Sequence, residues 1–187
     1  MIIGLTGSYA AGKDTVADFL VKRGFAYYSL SDLLRKELVK QGKSLSRDNL
    51  IVKGNELRQS LGAEELARRI VNQIKKDGSE NAVVVSIRNP EEVKFLKENS
   101  EFEMWFVDAP IEIRYERAKK RMRPEDEVSY DQFQEQEKSE HSDDPNHQQL
   151  QKVRDMADYK LENDRDEKSL YKKIEKLLAP RSTELTQ

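Results

Sequence analysis

Apolar positions follow two rhythms along the chain. Four short runs are nearly continuous: Ile2-Ile3-Gly4-Leu5-Thr6, Phe25 to Leu30, Ala82-Val83-Val84-Val85-Ser86-Ile87 and Phe102 to Val107. Uninterrupted runs of this length, closed by Gly or by a polar break, are what strands buried on both faces leave in a sequence. Between them the spacing shifts to three or four. Val16, Phe19 and Leu20 mark a helix that stops at Gly24, and Leu34 and Leu38 mark one capped by Ser31. Leu66, Ile70 and Ile74 form the inner stripe of a helical stretch from Arg47 to Lys76, broken near Gly62. Asn89-Pro90-Glu91-Glu92 combines a cap, a first-turn proline and two acids, and Ala109-Pro110 opens another helix. Tyr159 to Glu162 is a candidate fifth strand. Leu170, Ile174, Leu177 and Leu178 mark a last helix, and residues 180–187 are expected to fray. Strands alternating with helices predict a parallel sheet covered on both faces.

Composition narrows the function classes. The 187 residues suit one α/β domain, and no stretch approaches the ~20 apolar residues of a membrane-spanning helix. Lys and Arg number 33 against 35 Asp and Glu, so the net charge of −2 argues against a nucleic-acid partner. The absence of cysteine excludes disulfides, thiol nucleophiles and thiolate metal sites. Met1-Ile2-Ile3-Gly4 lacks the charged start and long apolar run of a signal peptide, so a cytoplasmic protein is expected.

The chemistry begins at the first strand's end. Gly7-Ser8-Tyr9-Ala10-Ala11-Gly12-Lys13 fits G-x-x-x-x-G-K between a predicted strand and a predicted helix. Glycines let the backbone curl so that successive N–H groups face an anion, and the helix N-terminus adds partial positive charge. Lys13 can reach terminal phosphates as a mobile point charge. Asp14 follows where the strict motif has Ser or Thr, and Thr15 displaces the Mg²⁺-approaching hydroxyl by one position. The loop residues from Gly7 to Thr15 are therefore candidates for ATP phosphates, with Thr15 the candidate metal contact.

Gly-Lys-Asp-Thr with Ala17-Asp18-Phe19 after it resembles the loop of phage-type deoxynucleoside monophosphate kinases, and is similar to the Gly-Lys-Gly-Thr loop of adenylate kinases. The resemblance implies a P-loop NTPase three-layer α/β/α fold, with a parallel sheet of about five strands. It also implies phosphoryl transfer from Mg²⁺-ATP to a small acceptor. Ser29-Leu30-Ser31-Asp32-Leu33-Leu34-Arg35 is similar to the adenylate kinase segment that places an arginine on the acceptor phosphate, with Ser31 where that family has glycine. Asp32 and Arg35 are thereby acceptor-side candidates. Arg88, at the carboxyl end of the clearest strand, resembles the arginine of the family's Asp-Gly-Phe-Pro-Arg segment; it is also similar to the Gly-Ile-Arg segment of an uncharacterised archaeal family related to nucleotide kinases. No Asp ends that strand, which leaves Mg²⁺ to Thr15, Asp14, phosphates and water, or to Asp108 or Asp32. Arg58 is a lower-ranked acceptor candidate, since surface helix arginines are routine. The expected acceptor-binding helices span about 31–77.

Arg114, Arg117, Lys119, Lys120, Arg121 and Arg123 form a basic block containing one acid, Glu116. Phosphoryl transfer benefits from fixed positive charge over the transferring oxygens. Arg117 and Arg121, four apart, share a helix face, and Val107-Asp108-Ala109-Pro110 before them resembles the approach to the adenylate kinase lid. Arg123-Pro124-Glu125-Asp126 resembles the lid's Arg-x-Asp-Asp, so a lid is expected over about 114–150. Nine acids between Glu125 and Asp144, against Lys138, would repel a polyanion from this flank. His141 and His147 fit no tight metal spacing, and a solvated loop is expected there.

Ala157 to Asp164 is similar to the Ala-Asp-x-x-Ile-x-Asn segment of dephospho-CoA kinases, which implies that Asn163 neighbours the adenine of ATP. Three functions stay open: a nucleoside or deoxynucleoside monophosphate kinase, a dephospho-CoA kinase with Asp32 as base, and a non-catalytic nucleotide-binding switch or accessory ATPase.

Overall fold

In the computed structural model, which describes residues 1–121, 128–139, 144–145 and 147–179, the first apolar run forms strand β1 (Ile2–Gly7), buried along its whole length. The chain continues through α1 (Lys13–Lys22), β2 (Ala26–Ser29), α2 (Leu30–Lys40), α3 (Arg47–Leu61), α4 (Glu65–Asp77), β3 (Ala82–Val85) and α5 (Pro90–Asn99). Then come β4 (Phe102–Asp108), α6 (Ile111–Arg121), α7 (Tyr130–Ser139), α8 (Leu150–Asp155), β5 (Tyr159–Glu162) and α9 (Glu167–Leu178). The strands form one parallel sheet in the order β2-β3-β1-β4-β5. The expected α/β architecture is the one observed.

Alternation along each strand splits the core into two layers. Ile2, Ala82, Val84 and Met104 face one way, onto Leu34, Leu66, Ile70, Ile74 and Leu96. Ile3, Leu5, Val83, Trp105 and Val107 face the other, onto Val16, Leu20, Leu170 and Ile174. Each fully buried Leu or Ile side chain contributes about 1.5–3 kcal/mol. Because all strands are parallel, the carboxyl ends of β1, β2, β3 and β4 lie along one edge of the sheet, where ligands bind in open α/β folds.

Three expectations change. The cap of α2 is Ser29, with φ −133° and ψ 123°, and not Ser31. β2 passes into α2 with no loop, so Leu30, 1% exposed, is already helical and Ser31 falls in the first turn. Second, the acidic stretch is not wholly a solvated loop. Residues 130–139 form α7, held by Phe133, whose ring lies 5.9 Å from that of Tyr9 and 5.6 Å from that of Tyr115. A single apolar residue leaves no periodic signal in sequence, and tertiary aromatic packing supplies the stability instead. Third, the segment leading to α8 is tied down. The side-chain N–H₂ of Asn89 donates to the carbonyls of Pro145 (2.7 Å) and His147 (3.0 Å), and the Gln149 N–H donates to Arg88 O at 2.8 Å. The Arg123–Asp126 segment, His141 and the 180–187 tail lie outside the described residues. Among the described residues, no helix is long and apolar enough to cross a membrane.

Candidate functional site

The loop after β1 owes its path to three residues with positive φ. Gly7 has φ 153°, and a Cβ there would stand 2.0 Å from the Val107 carbonyl oxygen, so only glycine lets β1 end this close to β4. Ala10 (φ 58°) and Gly12 (φ 93°) turn the chain into α1. Lys13 Nζ lies back across the loop and donates to Gly7 O at 2.9 Å and Ser8 O at 2.7 Å.

Asn163 braces this loop from β5's end. Its side-chain N–H₂ donates to Ala11 O at 2.9 Å, and a Cβ on Gly12 would sit 2.4 Å from the same nitrogen. The amide expected beside a base is thus engaged by the loop backbone and is 6% exposed. Arg117 Nη2 donates to Asn163 Oδ1 at 3.4 Å. Arg117 Nη1 is buried with no partner among the described residues, and burial lowers the guanidinium pKa. An unpaired buried cationic N–H beside a phosphate loop costs stability until an anion meets it. The Arg121 guanidinium lies 4.7 Å over the Tyr9 ring, so both arginines reach the loop or its brace. Arg114 has a different place: 4% exposed, it donates to Ala109 O (2.8 Å), Tyr9 O (3.4 Å) and Glu137 Oε1 (2.6 Å), linking loop, α6 and α7.

A cleft of about 350 Å³ opens beside the loop at the sheet edge. Its lining brings together Thr6, Lys13, Asp14, Tyr27, Ser29, Ser31, Arg35, Val85, Ser86 and Arg88. Lys13, Arg35 and Arg88 outnumber Asp14 there, so the lining carries net positive charge, which suits an anion. Asp32 is not among the lining residues; it pairs with Arg35 Nη1 at 2.7 Å, and the same nitrogen donates to Ser31 Oγ at 2.8 Å. Burial, then Asp32 and Asp14, push the Tyr27 phenol up, so its hydroxyl stays a neutral donor.

Arg58 does not line the cleft. It is 5% exposed and forks onto Glu92 Oε1, Nε at 3.1 Å and Nη2 at 3.0 Å. The other Glu92 oxygen accepts from the backbone N–H of Arg88 (2.8 Å) and Asn89 (3.1 Å). Arg58 therefore acts on Arg88 through Glu92, and the buried pair sets the turn that aims Arg88. Thr6 fixes the same turn from β1, its hydroxyl donating to Ile87 O at 2.7 Å. Sequence reasoning missed Thr6, Tyr27, Ser86 and Glu92. A polar residue closing a β-branched run was the available signal for Ser86, and the Asn89-x-x-Glu92 capping pattern for Glu92, though not for its bond to Arg58; Tyr27 carried none.

For a metal, Asp108 is occupied: it pairs with Arg154 (3.4 Å) and Arg114 (3.8 Å). Among the described residues no three His, Asp or Glu cluster as ligands. Asp14 at the cleft and the neighbouring Thr15 hydroxyl are hard oxygen donors that fit a Mg²⁺ keeping mainly phosphate and water ligands.

Known proteins resemble the chain in this same architecture. A UPF0200 protein of Thermococcus onnurineus is 30% identical over 183 residues, 95% of this chain and 96% of that one. A UPF0200/UPF0201 protein of Archaeoglobus fulgidus is 29% identical over 95% of this chain, and the chain spans only 54% of its length. In structure, a shikimate kinase of Bacteroides thetaiotaomicron superposes with a TM-score of 0.60 at 18% identity, over 95% of this chain and 98% of that one, which establishes a common P-loop kinase-type fold. The family model described as an AAA domain matches residues 3–143. With phosphate loop, sheet order and relatives in agreement, the chain belongs to the AAA-domain family and to the UPF0200 proteins.

Proposed function

We propose that the protein is an ATP-dependent phosphotransferase acting on a small nucleotide, a nucleoside or deoxynucleoside monophosphate. One observation carries this: Lys13 of the phosphate loop lines the same cleft as Arg35 and Arg88, so a donor phosphate and an acceptor anion can meet there. The loop N–H groups and Lys13 hold the ATP phosphates, Lys13 exchanging its two carbonyl partners for them. Arg35 and Arg88 fix the acceptor phosphate, guanidinium forks matching its oxygens. An acceptor oxygen then attacks the γ-phosphorus and the bond to the β,γ-bridging oxygen breaks, releasing ADP. A phosphate acceptor is already nucleophilic, so no general base is required. Arg117 and Arg121, both on α6, supply positive charge beside the loop and its Asn163 brace. Asp14 and Thr15 would hold Mg²⁺, which neutralises phosphate charge when bound.

A second reading, a hydroxyl acceptor such as dephospho-CoA, is favoured by the Asp32 carboxylate, which is held by the cleft's Arg35 and is able to take a proton. A panel of ribo- and deoxynucleoside monophosphates and dephospho-CoA with Mg-ATP separates the two. Phosphoryl transfer to a monophosphate is expected. ATP binding without transfer to any acceptor would instead identify a nucleotide-binding switch.

A further inference from the structure

Ser86 holds φ 66°, a left-handed conformation that a residue with a Cβ adopts at a cost. It stands one residue past β3, at the cleft, two residues before Arg88. Its hydroxyl lies 3.2 Å from Ser31 Oγ, which lies 2.9 Å from Ser29 Oγ and accepts from Arg35 Nη1 at 2.8 Å. Glycine would fit this backbone better, so the side chain is kept against a conformational penalty. Three hydroxyls bring three protons, and two hydroxyl–hydroxyl contacts join them. The Ser29 end of the row meets the Tyr27 phenol, so the hydroxyl that faces outward is that of Ser86, which can donate or accept. The three serines line the same cleft as Arg35 and Arg88, the two cations that suit an anionic group.

We propose that Ser86, with Ser31 and Ser29, forms a subsite that reads a sugar hydroxyl of the acceptor while Arg35 and Arg88 take the acceptor's anion. The substrate class is a hydroxylated anion, from a nucleoside monophosphate or from a free sugar phosphate. The subsite rests on the cleft being the acceptor site, and the test separates the two claims.

Steady-state kinetics with Mg-ATP compare the wild type, Ser86→Ala and Ser86→Gly on a ribonucleoside monophosphate, its 2′,3′-dideoxy analogue and a sugar phosphate. Removing the Ser86 hydroxyl raises KM for the hydroxylated acceptor about tenfold, the size of one neutral hydrogen bond. KM for ATP stays within twofold. The dideoxy acceptor already lacks the partner group, so the same substitution leaves its KM unchanged and the two losses do not add. Ser86→Gly relieves the backbone while losing the hydroxyl, so its Tm exceeds that of Ser86→Ala even as acceptor binding weakens. Transfer that is equally efficient in all three proteins, or equal losses on the hydroxylated and dideoxy acceptors, overturns the subsite and leaves the kinase reading standing. If no acceptor is phosphorylated, calorimetric titration with the monophosphate and the sugar phosphate decides. Binding weakened in Ser86→Ala upholds the subsite and removes the kinase reading; no binding of either removes both.

Discussion

At the scale of single residues the proposed function turns on Lys13, which lines the cleft. It hydrogen-bonds to the loop's own carbonyls, Gly7 O and Ser8 O, and those bonds link groups only five and six positions apart. Lys13 belongs to neither core layer, so removing its side chain costs polar contacts and no core packing. Lys13→Ala is expected to lower phosphoryl transfer at least about 100-fold, as loss of a fixed charge at a transferring group does. Circular dichroism and Tm should stay near wild type; transfer at the wild-type rate would disprove the loop's role. Lys13, the loop glycines, Arg35 and Arg88 were legible because each is tied to a strand end or helix start a few residues away. Asn163 was read as a base neighbour, yet its amide binds Ala11 O across 152 positions of chain, a contact no local pattern encodes.

At the scale of elements, the Arg58–Glu92 pair connects α3 to the start of α5. Its side chains are 4% and 0% exposed, so neither charge can recover water if the other is lost. Arg58→Ala is expected to destabilise the fold by about 3–5 kcal/mol in urea unfolding. Arg58→Lys restores charge but not the fork, so its transfer activity should show a raised acceptor KM at nearly unchanged ATP KM; parallel changes in both would argue that the pair only stabilises. The start of α9 carries a pH-sensitive counterpart. Hydrogen bonds from the Ser169 hydroxyl and backbone N–H hold the Asp166 carboxyl below its ordinary range. A depressed carboxylate contributes stability above its unfolded pKa of about 3.9, and that contribution is lost as pH falls through the lower folded value. Tm measured from pH 6 down to pH 2.5 should fall less steeply in Asp166→Asn, which keeps an oxygen acceptor and loses the titration.

Over the whole molecule, charge is distributed against its average. The chain carries a net −2, yet the cleft draws cations from three separate elements: Lys13 on α1, Arg35 on α2 and Arg88 beyond β3. A cleft of net positive lining within a near-neutral molecule suits a small anion. Acceptor affinity should weaken several-fold between 50 mM and 500 mM salt, because partly exposed cations are screened over about a Debye length. An acceptor KM independent of ionic strength would count against the arginine pair as its binding site.

The sequence alone determined the sheet, the phosphate loop and the cations at the strand ends. Burial on both faces demands continuous apolar runs, and a phosphate loop demands glycines at set spacing before a lysine. Tertiary structure decided what those signals cannot reach. It turned Arg58 from an acceptor contact into the buried partner of Glu92, 34 residues away. It folded 130–139 as a helix through Phe133, 2% exposed, with Tyr130 against Tyr115 and Glu137 paired to Arg114. And it set Ser86 at φ 66° beside Ser31, 55 residues earlier, where a serine needs more than its neighbours in the chain to justify its backbone. Local patterns report burial and spacing; pairing between distant polar groups depends on which elements the sheet order brings together.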